Sequence, residues 1–275
     1  MFVCGRFRFD LVRPLVMGVV NVTPDSFSDG GRYLGPAQAI AHGLGLREAG
    51  ADILDIGGES TRPGAEAVPL QQELDRVLPV IEGLRDSGAV LSVDTSKPEV
   101  MRAAIAAGVD LVNDVCALTE PGALATVAES PVGLCLMHMQ GQPRTMQADP
   151  RYGDVVAEVA AYLGQRVAEA LAAGIARERI LIDPGFGFGK GLDHNLALLQ
   201  ALPVLAEIAP VLAGLSRKSM LGLITGRPVD ERLAASLSAA LAAVARGAAV
   251  VRVHDVKETV DALKVWAAIE ENGNG

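Results

Sequence analysis

Eight short, largely apolar runs, each followed by a longer stretch with helix punctuation, constrain this chain more than any other feature. The runs fall at residues 16–20, 53–56, 90–93, 110–112, 132–137, 180–182, 211–213 and 250–253. Helical stretches follow at 36–49, 69–85, 98–107, 121–129, 155–173, 194–202, 231–245 and 256–269, with a further short helix opening near Ser219. Several begin at proline, as at Pro36 and Pro98, and several stop at glycine, as at Gly50 and Gly174. That is the asymmetry of helix ends, because proline lacks an N–H the first turn does not use and glycine tolerates the left-handed cap. Strands alternating with helices predict a parallel sheet covered by helices. A doubly wound open sheet is one solution. Eight units favour closure into a (β/α)8 TIM barrel, for which about 250 residues are usual. Residues 1–10 alternate apolar and polar, with Phe2, Cys4, Phe7 and Phe9 set among Gly5, Arg6 and Arg8, and predict a short β-hairpin plugging one barrel end. We find no linker and no internal repeat, so the expectation is one domain over 1–275.

Half of the 275 residues are hydrophobic, enough for one large core, and the formal net charge is −9. Such an acidic balance argues against nucleic acid as a partner. No apolar run reaches the length of a membrane span, and the first residues lack the basic segment and long apolar run of a secretory leader. The cysteines, Cys4, Cys116 and Cys135, form no C-x-x-C pair and no metal-ligand cluster. Two of them lie in or near apolar runs and are expected to be buried free thiols, in a cytoplasmic protein.

Polar residues fall with unusual regularity where the apolar runs end. Asn21 closes the first run, Asp94 the third, Asn113 the fourth and Asp183 the sixth; Lys218 follows the seventh, and Arg252 and His254 close the eighth. Active sites of such barrels form at the C-terminal ends of the strands. One aspartate at a strand end is usually a cap or turn residue, but several converging on one mouth describe a site. Arg252 and His254 sit two apart, so both side chains point the same way, and both suit phosphate oxygens. Asn21 offers an amide oxygen, a suitable ligand for Mg²⁺. The run 17–31, MGVVNVTPDSFSDGG, passes from strand into a Ser/Asp/Gly loop that carries one large apolar residue, Phe27.

These blocks resemble a known family. MGVVNVTPDSFSDGG is similar to the first signature of the dihydropteroate synthases, and DIGGESTRPG at 55–64 to the second. SVDT at 92–95, VND at 112–114, DPGFGF at 183–188, SRK at 216–218 and RVHD at 252–255 also match, in family order. The resemblance implies transfer of the 7,8-dihydropterin-6-ylmethyl group from its diphosphate ester to the amine of p-aminobenzoate, with release of diphosphate. It further implies that Asp183 and Asn113 read the pterin edge, that Lys218 donates to its carbonyl side, and that Asp94 lies deeper, against the pyrazine ring. Phe188 and Met137 would pack on the ring. Arg252, His254 and an Asn21-bound Mg²⁺ would hold the leaving diphosphate. Phe27 and Pro63, with Thr61 and Arg62, would close over p-aminobenzoate, whose carboxylate the helix start at Ser219 would hold. The expected catalytic group is Asp94, Lys218, Arg252 and His254.

Two other readings remain at this point. A pterin-binding corrinoid methyltransferase would use the same barrel but not the diphosphate corner. A non-catalytic paralogue would act as a binding protein. The helix at 231–245 has no charge after Arg232, so one face must pack on the barrel and the other on a second protein surface. With the helix at 256–269 it predicts a two-fold homodimer interface, with Ala239 or Ala243 facing outward.

Overall fold

The computed structural model describes residues 1–22, 35–60, 64–142 and 145–273, with side chains through 270. Phe27, Thr61, Arg62 and Pro63 lie outside the described residues. The eight expected strands are present: β3 (Leu15–Asn21), β4 (Ile53–Gly57), β5 (Val90–Asp94), β6 (Leu111–Asp114), β7 (Gly133–Met137), β8 (Ile180–Asp183), β9 (Val211–Ala213) and β10 (Ala248–Val253). They close into a parallel barrel in the order β10-β3-β4-β5-β6-β7-β8-β9. Around it run α1 (Pro36–Glu48), α2 (Leu70–Leu84), α3 (Pro98–Ala107), α4 (Ala123–Ala128), α5 (Val155–Ala172), α6 (Leu192–Gln200), α7 (Leu202–Ala206), α8 (Ser219–Thr225), α9 (Leu233–Val244) and α10 (Val256–Gly273). The helix expected over 194–202 starts earlier, at Leu192, and a second short helix follows it. Pro203 stands in the first turn of α7, where its missing N–H costs nothing and where it would break a continuous helix.

Inward-facing residues alternate along each strand, and this sets two levels inside the barrel. The lower level is apolar: Leu15, Met17, Ile53, Val90, Leu111, Cys135, Leu181, Leu212 and Val250 form one buried cluster with Phe2 and Cys4. The last two belong to the antiparallel hairpin β1 (Phe2–Cys4) and β2 (Phe7–Phe9). Both are fully buried, so the hairpin does close the lower end as expected. A Cβ on Gly133 would stand 2.6 Å from the Cys4 Cβ, so glycine lets the hairpin seat against β7. Burying one Phe ring here contributes about 1.5–3 kcal/mol. Two residues further up, the inward positions of five strands turn polar: Asp55, Ser92, Asn113, Asp183 and Arg252. The plug below seals the barrel, leaving the polar level to face the upper mouth.

One expectation fails on α9. Ala239 and Ala243 both face the barrel, with 7% and 0% exposure. Leu233, Ala234 and Ser238 are the exposed residues of that helix.

Candidate active site

Strand register brings the upper residues together. Asn21 is level with Gly57, Gly57 with Asp94, and Asp94 with Asn113. Gly57 matters because it has no side chain: a Cβ there would lie 3.8 Å from Asp94 Oδ2 and 3.9 Å from Asn21 Oδ1. The space between these two oxygens is therefore open. Across the mouth, Met137 is level with Asp183. Gly214 leaves a similar opening, 3.9 Å from Asp183 Oδ2 and 4.0 Å from the Arg252 Cβ.

The centre of the site is a residue that strand-end reasoning passed over. Asp55 is fully buried on β4. It accepts from Ser92 Oγ at 2.6 Å, from Asn113 Nδ2 at 3.1 Å and from Arg252 Nε at 2.6 Å. Arg252 Nη2 also donates to Asp94 Oδ2 at 2.9 Å. Two carboxylates and a guanidinium thus form one buried network with the Asn113 amide. Burial opposes the Arg252 charge, but Asp55 and Asp94 outweigh it and raise the guanidinium above its ordinary value. Burial, together with repulsion from Asp55, pushes the Asp94 carboxyl up to about 7 against the pull of Arg252. The sign that could have revealed Asp55 was a charged residue inside an otherwise apolar strand, Ile53–Gly57.

Asp183 ends β8, and its Oδ1 accepts the Gly185 N–H at 2.7 Å. Burial raises its carboxyl, while that N–H and the charges of Lys218, Lys190 and Arg252 hold it down. Lys218 caps α8, and its Nζ stands 4.2 Å from the centre of the half-buried Phe188 ring. Met137 is buried at the end of β7. His254 Nδ1 lies 3.1 Å from Ser216 Oγ. Asp255 takes a two-pronged contact from Arg217, which ties the loop after β9 to the start of α10. Ser219 is exposed at the first position of α8. The structure therefore brings together Asn21, Asp94, Asn113, Asp183, Phe188, Lys218 and Arg252 at one mouth, and adds Asp55 and Ser92 to them.

A second polar cluster supports the loop after β4. Lys97 Nζ bridges Glu59 and the fully buried Glu73, and Thr95 Oγ1 donates to Glu73 at 2.5 Å. Burial works against the Lys97 ammonium, yet its hydrogen bonds to the two glutamates raise it. The cysteines are not nucleophiles: burial pushes Cys4 and Cys116 up to about 12 and Cys135 well above its ordinary value. Among the described residues no group of three or more His, Cys, Asp or Glu could hold a metal.

Fold and site define a (β/α)8 barrel with a charged, polar upper mouth at the strand ends, where enzymes of this architecture hold their active sites. Comparison with known proteins agrees. The family model described as "Pterin binding enzyme" matches residues 17–254. The dihydropteroate synthase of Neisseria meningitidis serogroup B is 54% identical over 98% of this chain and 97% of its own length. A Burkholderia cenocepacia dihydropteroate synthase structure, complexed with 7,8-dihydropteroate, is 51% identical with a TM-score of 0.91, covering 99% of this chain and 97% of that one. A Xanthomonas albilineans dihydropteroate synthase structure with 4-aminobenzoic acid is 57% identical with a TM-score of 0.89, covering 94% of each chain. The chain belongs to the dihydropteroate synthase family of pterin-binding transferases.

Proposed function

We infer that this chain joins the methylene carbon of a (7,8-dihydropterin-6-yl)methyl diphosphate to the amine of p-aminobenzoate, giving 7,8-dihydropteroate and diphosphate. The convergence of Asp183, Asn113, Asp94 and Arg252 on one mouth carries the reading. The pterin edge presents an amino group and ring N–H donors beside a carbonyl. The Asp183 carboxylate accepts the donors and Lys218 donates to the carbonyl, while Phe188 and Met137 flank the ring. Asn113 is held in one orientation by Asp55, so its oxygen is presented to the ligand without reorganisation. A heterocycle that lacks these donors leaves a buried carboxylate unsatisfied and is rejected.

With every thiol held protonated, direct displacement is the economical course: the amine attacks the methylene as the C–O bond to diphosphate breaks, and the alkylated nitrogen then releases its extra proton to water or to the departing diphosphate. Positive charge develops on the pterin, and Asp94 in its ionised form stabilises it. Negative charge develops on diphosphate, which His254 and the remaining donors of Arg252 face. We further propose Mg²⁺ at this corner. Asn21 Oδ1 beside the gap left by Gly57 fits an ion that takes few protein oxygens and completes its shell with phosphate and water. When bound it would neutralise diphosphate charge. The corner is what a methyltransferase would not need, and that separates the two readings. Diphosphate release should require both substrates and Mg²⁺, and Asp183→Ala should abolish pterin binding in a folded protein. Wild-type pterin affinity by calorimetry in that variant would overturn the assignment.

We propose that the chain works as a homodimer in the cytoplasm. Leu223, Ile224, Val229, Leu233, Val265 and Ile269 are exposed on or beside α8, α9 and α10, a concentration of apolar side chains that favours a partner surface. Among the described residues no helix is long and apolar enough to cross a membrane. Light scattering should report twice the chain mass. A monomer at micromolar concentration, or a dimer untouched by Ala234→Lys with Val265→Lys, would refute this interface.

A further inference from the structure

Behind the pterin face lies a buried lysine that the reaction above does not use. Lys190 is 3% exposed. Its Nζ stands 2.9 Å from His138 Nδ1, 2.9 Å from the Phe188 carbonyl and 3.2 Å from the His138 carbonyl. Three acceptors match the three donors of an ammonium group. With Lys190 charged, His138 Nδ1 is the acceptor and the ring proton sits on Nε2. His138 is itself buried, with its ring edge-on to Tyr162 at 5.0 Å. Its backbone N–H donates to the Asp183 carbonyl at 3.0 Å.

The surrounding loop is built to be pulled close. Gly185 has φ +69°, and a Cβ there would fall 1.9 Å from the His138 carbonyl oxygen. Gly189 has φ +64°, and its Cβ would fall 2.5 Å from the Gln140 carbonyl. Only glycine allows both the backbone conformation and the approach. Asn195 accepts the Gly187 N–H at 2.8 Å, and Tyr152 donates to the Gly189 carbonyl at 2.8 Å. Of these ties, the Lys190 contacts alone join the carbonyl of Phe188 to the residue following β7.

We propose that Lys190 is a positioning residue for the pterin: its ammonium fastens loop 184–190 to the end of β7 and so sets the Phe188 ring and the Asp183 carboxylate against the heterocycle. The proposal rests on the pterin reading of this mouth. Lys190 acts in two ways, by holding the Phe188 backbone and by placing a positive charge near Asp183. The charged groups that act on Asp183 are Lys218 from α8, Arg252 from β10 and Lys190 from the loop. Cys135 on β7 stays a neutral thiol. Burial, with repulsion from Lys218, brings the Lys190 ammonium down to about 7, and attraction from Asp183 opposes that fall. Burial and the Lys190 charge lower His138 to about 3, so it remains neutral.

The test compares Lys190→Met, which removes donors and charge, with Lys190→Gln, which keeps a donor without charge. Calorimetry with the dihydropterin diphosphate ester is run from pH 5 to 8 alongside the unmodified enzyme. Failure of the unmodified enzyme to bind the ester would sink the pterin reading rather than the role of Lys190. Both variants should move the acid limb of pterin binding upward by about one pH unit, because Asp183 loses a neighbouring cation, and Lys190→Met should bind about tenfold more weakly at pH 6, below the titration of the Lys190 ammonium. A purely structural lysine would lower thermal stability and leave that limb in place, and this result overturns the proposal. Wild-type affinity and limb in the folded variants overturn it as well. If neither variant folds, the unmodified enzyme decides by NMR: the Lys190 ammonium signal must shift when the ester binds, and an unmoved signal overturns the proposal.

Discussion

Replacing Asp55 by Asn tests the network at the centre of the barrel. Asn has nearly the shape of Asp, so no cavity opens and the change isolates charge and hydrogen bonding. Asp55 accepts from Ser92, Asn113 and Arg252. An amide keeps one acceptor oxygen and turns a donor toward donors. Breaking a buried ion pair from one side costs about 3–5 kcal/mol. Arg252 keeps Asp94 at 2.9 Å, and its side chain retains 23% exposure, so the loss belongs near the lower bound, about 3 kcal/mol. In a chain of this size each kcal/mol moves the melting point by about 2–4 °C, so the fall should be roughly 6–12 °C. The loss also frees the Asn113 side chain to rotate, so kcat/KM should drop by about two orders of magnitude for a comparable energy. The assay is calorimetric unfolding at fixed protein concentration, paired with diphosphate release. A double-mutant cycle with Arg252→Met should return a coupling above about 1 kcal/mol. A melting point within about 2 °C of wild type, with kcat/KM unchanged, would refute the view that Asp55 organises the site.

Other outcomes follow from the same geometry. Asp94 is raised to about 7 in the folded chain, above the ordinary carboxylate value of about 3.9. Between those values the folded protein holds a proton that the unfolded chain has released. The stability Asp94 contributes is thus present below about pH 4 and lost as pH rises through about 7. Asp94→Asn should flatten that part of the curve in urea unfolding, and an identical slope would contradict the assignment. Lys97→Met leaves Glu73 buried without its cation and should destabilise by about 3 kcal/mol; it should also impair p-aminobenzoate binding more than pterin binding, because Glu59 anchors the loop after β4. A change smaller than that of an exposed lysine would show the cluster to be ornamental. Phe188→Ala removes the ring beneath Lys218 and should weaken pterin binding by about 2 kcal/mol, read by calorimetry, with the melting point little altered.

The sequence by itself determined the eight units, their order and the family. Period and punctuation are local: apolar runs bounded by Pro and Gly specify strand and helix wherever the chain goes, and β9 and α3 fall at the residues expected. Asn21, Asp94, Asn113, Asp183 and Arg252 were legible because each closes an apolar run, and in a parallel barrel all such ends share one mouth. What only the tertiary structure decided is who touches whom. Asp55 sits in mid-strand and gains its meaning from Arg252, a residue 197 positions away, brought alongside when β10 closes the barrel next to β3. Lys190 likewise gains its meaning from burial beside His138 and the Phe188 carbonyl. Ala239 and Ala243 turned inward because the phase of α9 is set by the barrel it packs on, and a helix of Ala, Leu and Ser carries too little polarity to fix its own rotation. Pairings between distant strands and the rotation of a nearly featureless helix are set by the energy of the assembled core, and no local window of sequence contains that energy.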